Sequence, residues 1–456
     1  MLNNQPAVAA TLRADFGANA ILPEDAAYDA ARTVFVGGID KRPAAIVRAR
    51  NAEDVARVVA FARDRAVELA VRSGGHSGAG HGTTEGGIVL DLRDMNRIEI
   101  DATARTAWAG TGATTGAFTQ AAVQHGLVVG FGDAGSVGVG GITLGGGVGY
   151  LVRKHGLTVD SLLAAEVVTA DGRIVHADAD NEPDLFWAIR GGGGNFGVVT
   201  RVKFRLHALP AFTGGMLILP ATPETVAGFV AAAEAAPEEL STIANVMLAP
   251  PMPFLPAEAH GQMIVMAMMA FAGPDAEAEA ALRPFRALAA PLADMVKPSS
   301  YAEMFPPEEG YHPTMAIETM YLNRFGAKDA ETVVDRLTTS TAAMKVAQIR
   351  VLGGATARVP ADATAYAHRR SAIMVNLVAF WTSPEDRAVQ RRWVDGFAAA
   401  LKQEDDGSYV NFLAEATPER VRAAYPGATW ERLRQIKRRY DPANLFRLNQ
   451  NIPPAA

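Results

Sequence analysis

The sequence predicts an α+β protein of two domains. Three observations lead there. The 456 residues exceed what one simple hydrophobic core spans. Residues 31–100 alternate short strand-like and helix-like runs, as compact α/β units do. Past Pro210 and Gly214-Gly215 the pattern changes to longer amphipathic helices and apolar, methionine-rich strands, which continue to about residue 400. The expected divisions are 1–210, 211–405 and a tail, 406–456.

The elements follow in order. Ala44–Arg48 is a short β-type run. Asn51 then reads as the N-cap of a helix whose apolar positions are Val55, Val58, Val59 and Ala62. Leu69–Arg72, Ile88–Leu92 and Thr106–Gly110 are strands, and Gly116–His125 is a helix ended by Gly126. From Gly130 to Gly149 glycine is too dense for a stable helix or strand alone, yet Val137, Val139, Ile142 and Leu144 are too apolar for a linker. Backbone that cradles a ligand accounts for both properties. Val159–Val168 and Arg173–Ala177 read as strands around Asp171-Gly172, Asp184–Arg190 as a helical turn, and Val198–Leu206 as a strand. Pro223–Ala235 and Pro274–Arg283 are helices, Met263–Phe271 and Ala372–Trp381 strands. A tail helix, Trp430–Tyr440, stops at Asp441-Pro442.

Composition excludes several classes. A net charge of −6 argues against nucleic acid or an anionic membrane as partner. The basic run Arg432–Arg439 has acidic neighbours and reads as a solvated helix face. With no cysteine, disulfides, thiolate catalysis and cysteine metal sites are impossible. The start Met1–Pro6 lacks a secretory pattern, and the longest apolar run, near Met263–Ala272, is too short for a bilayer. A soluble, cytoplasmic protein, monomer or homodimer, is expected.

The most informative stretch is Val71-Arg72-Ser73-Gly74-Gly75-His76-Ser77-Gly78. Glycines there let the backbone approach a ligand, and successive N–H groups can cradle an anion. An imidazole in that cradle suggests a cofactor that is bound and tethered. Gly130–Gly135 and Gly192–Gly197 both match G-x-G-x-x-G, but neither lies between a strand and a helix as a Rossmann site requires. His76 and His81 lack an acidic pair for a metal, so no metal site is expected. His125, His155, His176, His207, His260 and His312 read as packing or surface residues.

Four blocks in order then carry a resemblance: Arg72–Ser77, Ser136–Gly141 continuing to Gly145–Gly149, Gly194–Val199, and Tyr440-Asp441-Pro442 to Phe446 with Asn449 and Asn451. On these the chain resembles the berberine-bridge-enzyme-like flavoproteins of the vanillyl-alcohol-oxidase superfamily. The resemblance implies a two-domain PCMH-type FAD-binding fold, with an antiparallel-sheet substrate domain covered by helices. It implies FAD contacts from Arg72, Ser73, Gly74, Gly75, His76, Ser77, Gly80 and His81. Further contacts are implied from Gly132, Ser136, Val137, Gly138, Gly140, Gly141, Gly149, Val199, Asn449 and Asn451. His76 matches the histidine that bonds to the flavin 8α position. Where many relatives carry a second, cysteinyl link, this chain has Ala134, so attachment is single or absent. Val137 matches a position where valine accompanies oxidases, which implies dioxygen as acceptor and hydrogen peroxide as product.

The implied chemistry is hydride transfer from a substrate C–H to flavin N5, with a nearby base. In Tyr409-Val410-Asn411-Phe412 the second tyrosine of the family pattern is Phe412, so a base carries over only through Tyr409. Asn376 shares a strand face with Met374, Val378 and Phe380 and could orient a substrate; Tyr321 is a third candidate. Met263, Met266, Met268 and Met269 line a pocket or fill the core. The expected substrate is a small aromatic or alicyclic alcohol or amine. A flavin dehydrogenase with another acceptor, or a flavin-binding protein with little turnover, stays open.

Overall fold

A computed structural model of the chain describes residues 5–306, 310, 312–404 and 407–456. Its first sheet holds β1 (Ala20–Ile21), β2 (Ala45–Arg48), β3 (Leu69–Arg72) and β4 (Ile88–Asp91) in the order β1-β2-β4-β3. β4 lies parallel to both β2 and β3, because a helix crosses over after β2. That helix, Ala52–Asp64, begins where expected: the Asn51 side chain accepts from Asp54 N at 2.8 Å. Its stripe of Val55, Val58, Val59 and Ala62 is fully buried against the sheet.

The chain continues through β5 (Ile98–Asp101), β6 (Thr106–Gly110), β7 (Leu127–Val128), β8 (Leu162–Val168), β9 (Ile174–Asp178), β10 (Val198–Arg205) and β11 (His207–Ala208). Of these, β5-β6-β10-β8-β9 form an antiparallel sheet, and β7 pairs β11. β8 starts later than expected, since Thr158–Ser161 is a 3₁₀ turn with Asp160 accepting from Leu157 N at 2.9 Å. The glycine-dense stretch contains a short helix after all, Val139–Leu144, packed by Val139 and Leu144 into the core of this second sheet.

The third sheet has eight strands: β12 (Thr213–Pro220), β13 (Leu240–Leu248), β14 (Met263–Phe271), β15 (Ala293–Asp294), β16 (Lys297–Pro298), β17 (Met315–Leu322), β18 (Met344–Val351) and β19 (Ile373–Phe380). All its pairings are antiparallel. Helices Pro223–Ala235, Asp275–Arg286, Ala327–Thr339 and Arg387–Leu401 cover one face, burying among others Phe229, Phe285, Val333, Leu337 and Phe397. Each such side chain contributes roughly 1.5–3 kcal/mol on leaving water. Asp275–Arg286 runs three residues past the expected end, with Pro284 in its last turn. Alternation divides the β14 methionines: Met263 and Met269 join this helix-side core, while Met266 and Met268 turn to the opposite face. Four-stranded, five-stranded and eight-stranded sheets with segregated helices make this the two-domain α+β fold.

The opposite face of the large sheet meets the glycine-rich segments. Arg350 on β18 bonds Asp133 at 2.5 Å and the Val148 carbonyl at 3.1 Å. Arg369 holds Asp160 with two bonds, at 2.7 and 2.8 Å. The tail returns as helix Ala428–Tyr440. One residue in it departs from the expected solvated face: Lys437 is wholly buried. Its ammonium donates to Asp441 at 2.6 Å, Asn195 O at 2.8 Å and Phe446 O at 2.9 Å. Its stem packs inward with Leu433 and Ile436, while Arg432 stays near the surface on Asp184.

Candidate active site

Segments from across the chain wall a cavity of about 380 Å³. The loop after β3 forms one wall. Arg72 borders it, but its guanidinium turns away to Asp91 at 2.8 Å and Ala31 O at 2.6 Å. Burial pushes the Asp91 carboxyl up, yet its bonds to Arg93 and Arg72 prevail and hold it below the usual carboxylate range. Arg72 therefore braces the loop from beneath. Gly74 and Gly138 touch backbone to backbone; a Cβ on Gly138 would overlap Ser73 Oγ and Gly74 N. This close approach fixes the first glycine loop against the helix Val139–Leu144, and Ser73 Oγ adds a 2.5 Å bond to Thr111 O.

His76 lies at the cavity wall, its ring stacked on Phe35 at 4.1 Å and 18°. His81 lies nearby, and burial, with Lys41 adding a smaller push, takes it down to about 4, so it is neutral at pH 7. Ser77, Gly75, Gly132, Val137, Gly140, Gly141, Val199 and Asn449 also line the cavity. Gly80, Ser136, Gly149 and Asn451 do not. Gly80 (φ +71°) makes the turn back to Ser77, and a Cβ on Gly149 would overlap the Phe131–Gly132 backbone. Ser136 and Asn451 flank the lining residues Val137 and Gln450.

The three catalytic candidates separate. Tyr409 lines the cavity, and its hydroxyl oxygen accepts from Gly147 N at 2.8 Å and Asn411 Nδ2 at 2.9 Å. Burial raises its pKa, and these two donors offset only part of the rise. Tyr321 lies outside the cavity lining, fully buried, with its hydroxyl 2.6 Å from that of Tyr366. Asn376 is also outside the lining. It sits beside Thr319 and Gln348 in the sheet register, two positions along from the pair of cavity-lining Ile317 with Val378. Asn376 Oδ1 and Thr319 Oγ1 are buried with no hydrogen-bond partner among the described residues.

The comparisons with known proteins agree with this geometry. A family model described as FAD binding domain matches residues 43–178, and one described as berberine and berberine like matches 408–453. The (R)-6-hydroxynicotine oxidase of Paenarthrobacter nicotinovorans is 32% identical, over 95% of this chain and 96% of its own. An uncharacterized FAD-linked oxidoreductase of Bacillus subtilis is 30% identical over 94% of this chain and 96% of its own. The chain belongs to the berberine-bridge-enzyme-like FAD-linked oxidoreductases. Among solved structures, 6-hydroxy-D-nicotine oxidase from Arthrobacter nicotinovorans superposes with a TM-score of 0.85 at 30% identity, covering 96% of this chain and 98% of that one. Glucooligosaccharide oxidase from Acremonium strictum, whose FAD is described as 6-S-cysteinyl and 8α-N1-histidyl, gives 0.86 at 26% identity, over 100% of both chains.

The cavity of this FAD-linked enzyme fits the cofactor. A Cβ on Gly141 or Gly194 would meet no atom of the described residues within 4 Å, so both present bare backbone to the cavity. Asn449 Oδ1 is buried with no hydrogen-bond partner among the described residues, and Asn449 lines the same space, an acceptor for a ligand N–H or O–H. The Gly192–Gly197 stretch contributes Gly193, Gly194 and Gly197 to the lining. Sequence reasoning missed Phe35, Thr111, Asp133, Met315 and Ile317 there. Asp133 lies inside the Gly130–Gly135 match, and the other four lie in no motif. Asn411 was legible as the third residue of Tyr409–Phe412.

Proposed function

We propose that the protein is an oxidase of small aromatic or alicyclic amines or alcohols. It would remove a hydride from the carbon bearing the heteroatom, deliver the electrons to dioxygen as hydrogen peroxide, and keep FAD tethered through His76 alone. Residues 1–210 and 406–456 would form the FAD-binding domain and 211–405 the substrate domain. One observation carries the reading: His76, Val137 and Tyr409, from three distant segments, line the same cavity.

Bound FAD supplies the two-electron acceptor. The glycine loops and Asn449 would hold it, and Val137 would leave dioxygen access to it. Tyr409 keeps its own proton near neutrality, since burial outweighs its two N–H donors. Asp133 is engaged by Arg350. With Tyr409 protonated, Asp133 paired and His81 depressed to about 4, the described lining suits a neutral amine, whose lone pair stabilises the cation left by hydride loss; an alcohol needs its O–H proton removed. The hydroxynicotine oxidase relative supports the amine side.

The test is direct. Purified protein should be yellow and keep its flavin through acid precipitation, whereas His76→Ala should release it. A peroxide-coupled screen should favour cyclic amines over sugars and aromatic alcohols. Protein that stays colourless after supply of FAD defeats the proposal, and turnover without peroxide defeats its oxidase part.

A further inference from the structure

We infer that Phe35 is a positioning residue for the attachment of FAD to His76, and that the segment 312–314 holds Phe35 in place. The inference rests on the tethered-flavin reading above. The two rings lie face to face, centroids 4.1 Å apart and planes 18° from parallel, and both line the cavity. The backbones are joined as well: Phe35 N donates to Gly75 O at 3.1 Å, one residue before His76. Stacking fixes the plane of the imidazole, and the backbone bond fixes where that plane sits along the loop.

Phe35 itself is held from the other side. His312 Nδ1 lies 3.1 Å from Val34 O and 3.3 Å from Phe35 O. Gly37 N donates to Pro313 O at 2.9 Å. The packing is close enough that a Cβ on Gly37 would come within 2.5 Å of His312 O. Residues 312–314 lead directly into β17, whose Met315 and Ile317 line the cavity. The strand that supplies part of the substrate wall is thereby connected, through Phe35, to the imidazole.

Attachment forms a bond from an imidazole nitrogen to the flavin 8α carbon. The 8-methyl group loses one C–H proton and the imidazole its N–H proton. The electron pair enters the flavin, and dioxygen removes it, leaving as hydrogen peroxide. Geometry matters in such a step, since a misplacement of about 1 Å can cost about a hundredfold in rate.

The experiment is reconstitution of the full-length apoprotein with saturating FAD, following acid-stable flavin over time. Phe35→Ala should slow attachment tenfold or more, while reversible FAD binding, read by flavin fluorescence quenching, changes less than threefold. Phe35→Tyr, which keeps the ring, should attach at nearly the parent rate. Gly37→Ala, which displaces the strap without touching either ring, should also slow attachment. Attachment in Phe35→Ala at the parent rate, or a loss confined to reversible FAD affinity, overturns the inference. If Phe35→Ala does not fold, Phe35→Leu against Phe35→Tyr makes the same comparison. His76→Ala separates the two readings: acid-stable flavin surviving in that variant refutes the tether through His76 itself, whatever Phe35 does.

Discussion

Replacing Lys437 with methionine tests how the tail holds the cofactor cavity. The Lys437 and Asp441 side chains are both 0% exposed. All three ammonium hydrogens are used, on Asp441, Asn195 O and Phe446 O. Asp441 in turn accepts from Leu445 N at 2.8 Å and Phe446 N at 2.9 Å. Methionine fills the volume of the stem but leaves a buried carboxylate without its counter-ion and the Asn195 carbonyl without its donor, while Phe446 O keeps only Asn449 Nδ2 at 3.1 Å. Breaking a buried pair from one side costs about 3–5 kcal/mol. The unfolding entropy of 456 residues is roughly 1 kcal/mol/K, so Tm should fall by about 3–5 °C in a scanning calorimeter. Flavin content should fall too, because the freed carbonyl of Asn195 belongs to the residue that also pins the tail through Ile452 N and Gln450 O. Lys437→Met with Asp441→Asn should recover part of the loss, the two sites being coupled. A Tm drop below about 1 °C, or a double variant as unstable as the sum of the singles, would refute the reasoning.

Three other outcomes follow from the structure. Gly138→Ala places a methyl group on Ser73 Oγ and Gly74 N, so the loops must part at a cost of about 1–3 kcal/mol; the purified variant should carry far less flavin by absorbance ratio. Tyr409→Phe leaves the Gly147 and Asn411 donors without their acceptor, a loss of about 1–3 kcal/mol in chemical denaturation; the pH profile of kcat should keep its shape, and loss of a limb would make Tyr409 the base after all. His155, stacked on His207 at 4.2 Å, is pushed down to about 3 by burial and, secondarily, by His207 and Lys154. The unfolded chain therefore binds a proton below pH ~6.5 that the folded chain refuses until pH ~3. Stability should decline as pH falls through that window, and His155→Phe should flatten the decline; an unchanged slope counts against it.

Local physics made much of this fold legible. Asn51 capped its helix because a side-chain oxygen and a following apolar stripe are local signals, and Pro223–Ala235 and Met263–Phe271 were read to the residue. The short helix Val139–Leu144 was not legible, since glycine argues against helix and only packing of Val139 and Leu144 into the core repays it. Lys437 failed for a similar reason: a lysine among arginines reads as solvated, and its partners Asn195 and Phe446 declare themselves only once the tail has docked. The family motifs located much of the cavity wall. Asn376 was legible as a residue of the strand Ala372–Trp381, but its place outside the lining was not, nor was that of Tyr321, whose hydroxyl meets Tyr366 only in the folded chain. Phe35 had no signal, being one aromatic residue in a loop.

The cavity draws its walls from residues as far apart in sequence as Phe35 and Gln450. Such a space exists only in the native chain, so FAD is a ligand of the folded state alone. A ligand at a hundred times its dissociation constant adds about 2.7 kcal/mol to stability, and that gain vanishes when the pool is diluted. A tether through His76 would remove the dependence on the pool. The enzyme would then carry its stabilising ligand with it, and its melting temperature would cease to report the concentration of free flavin.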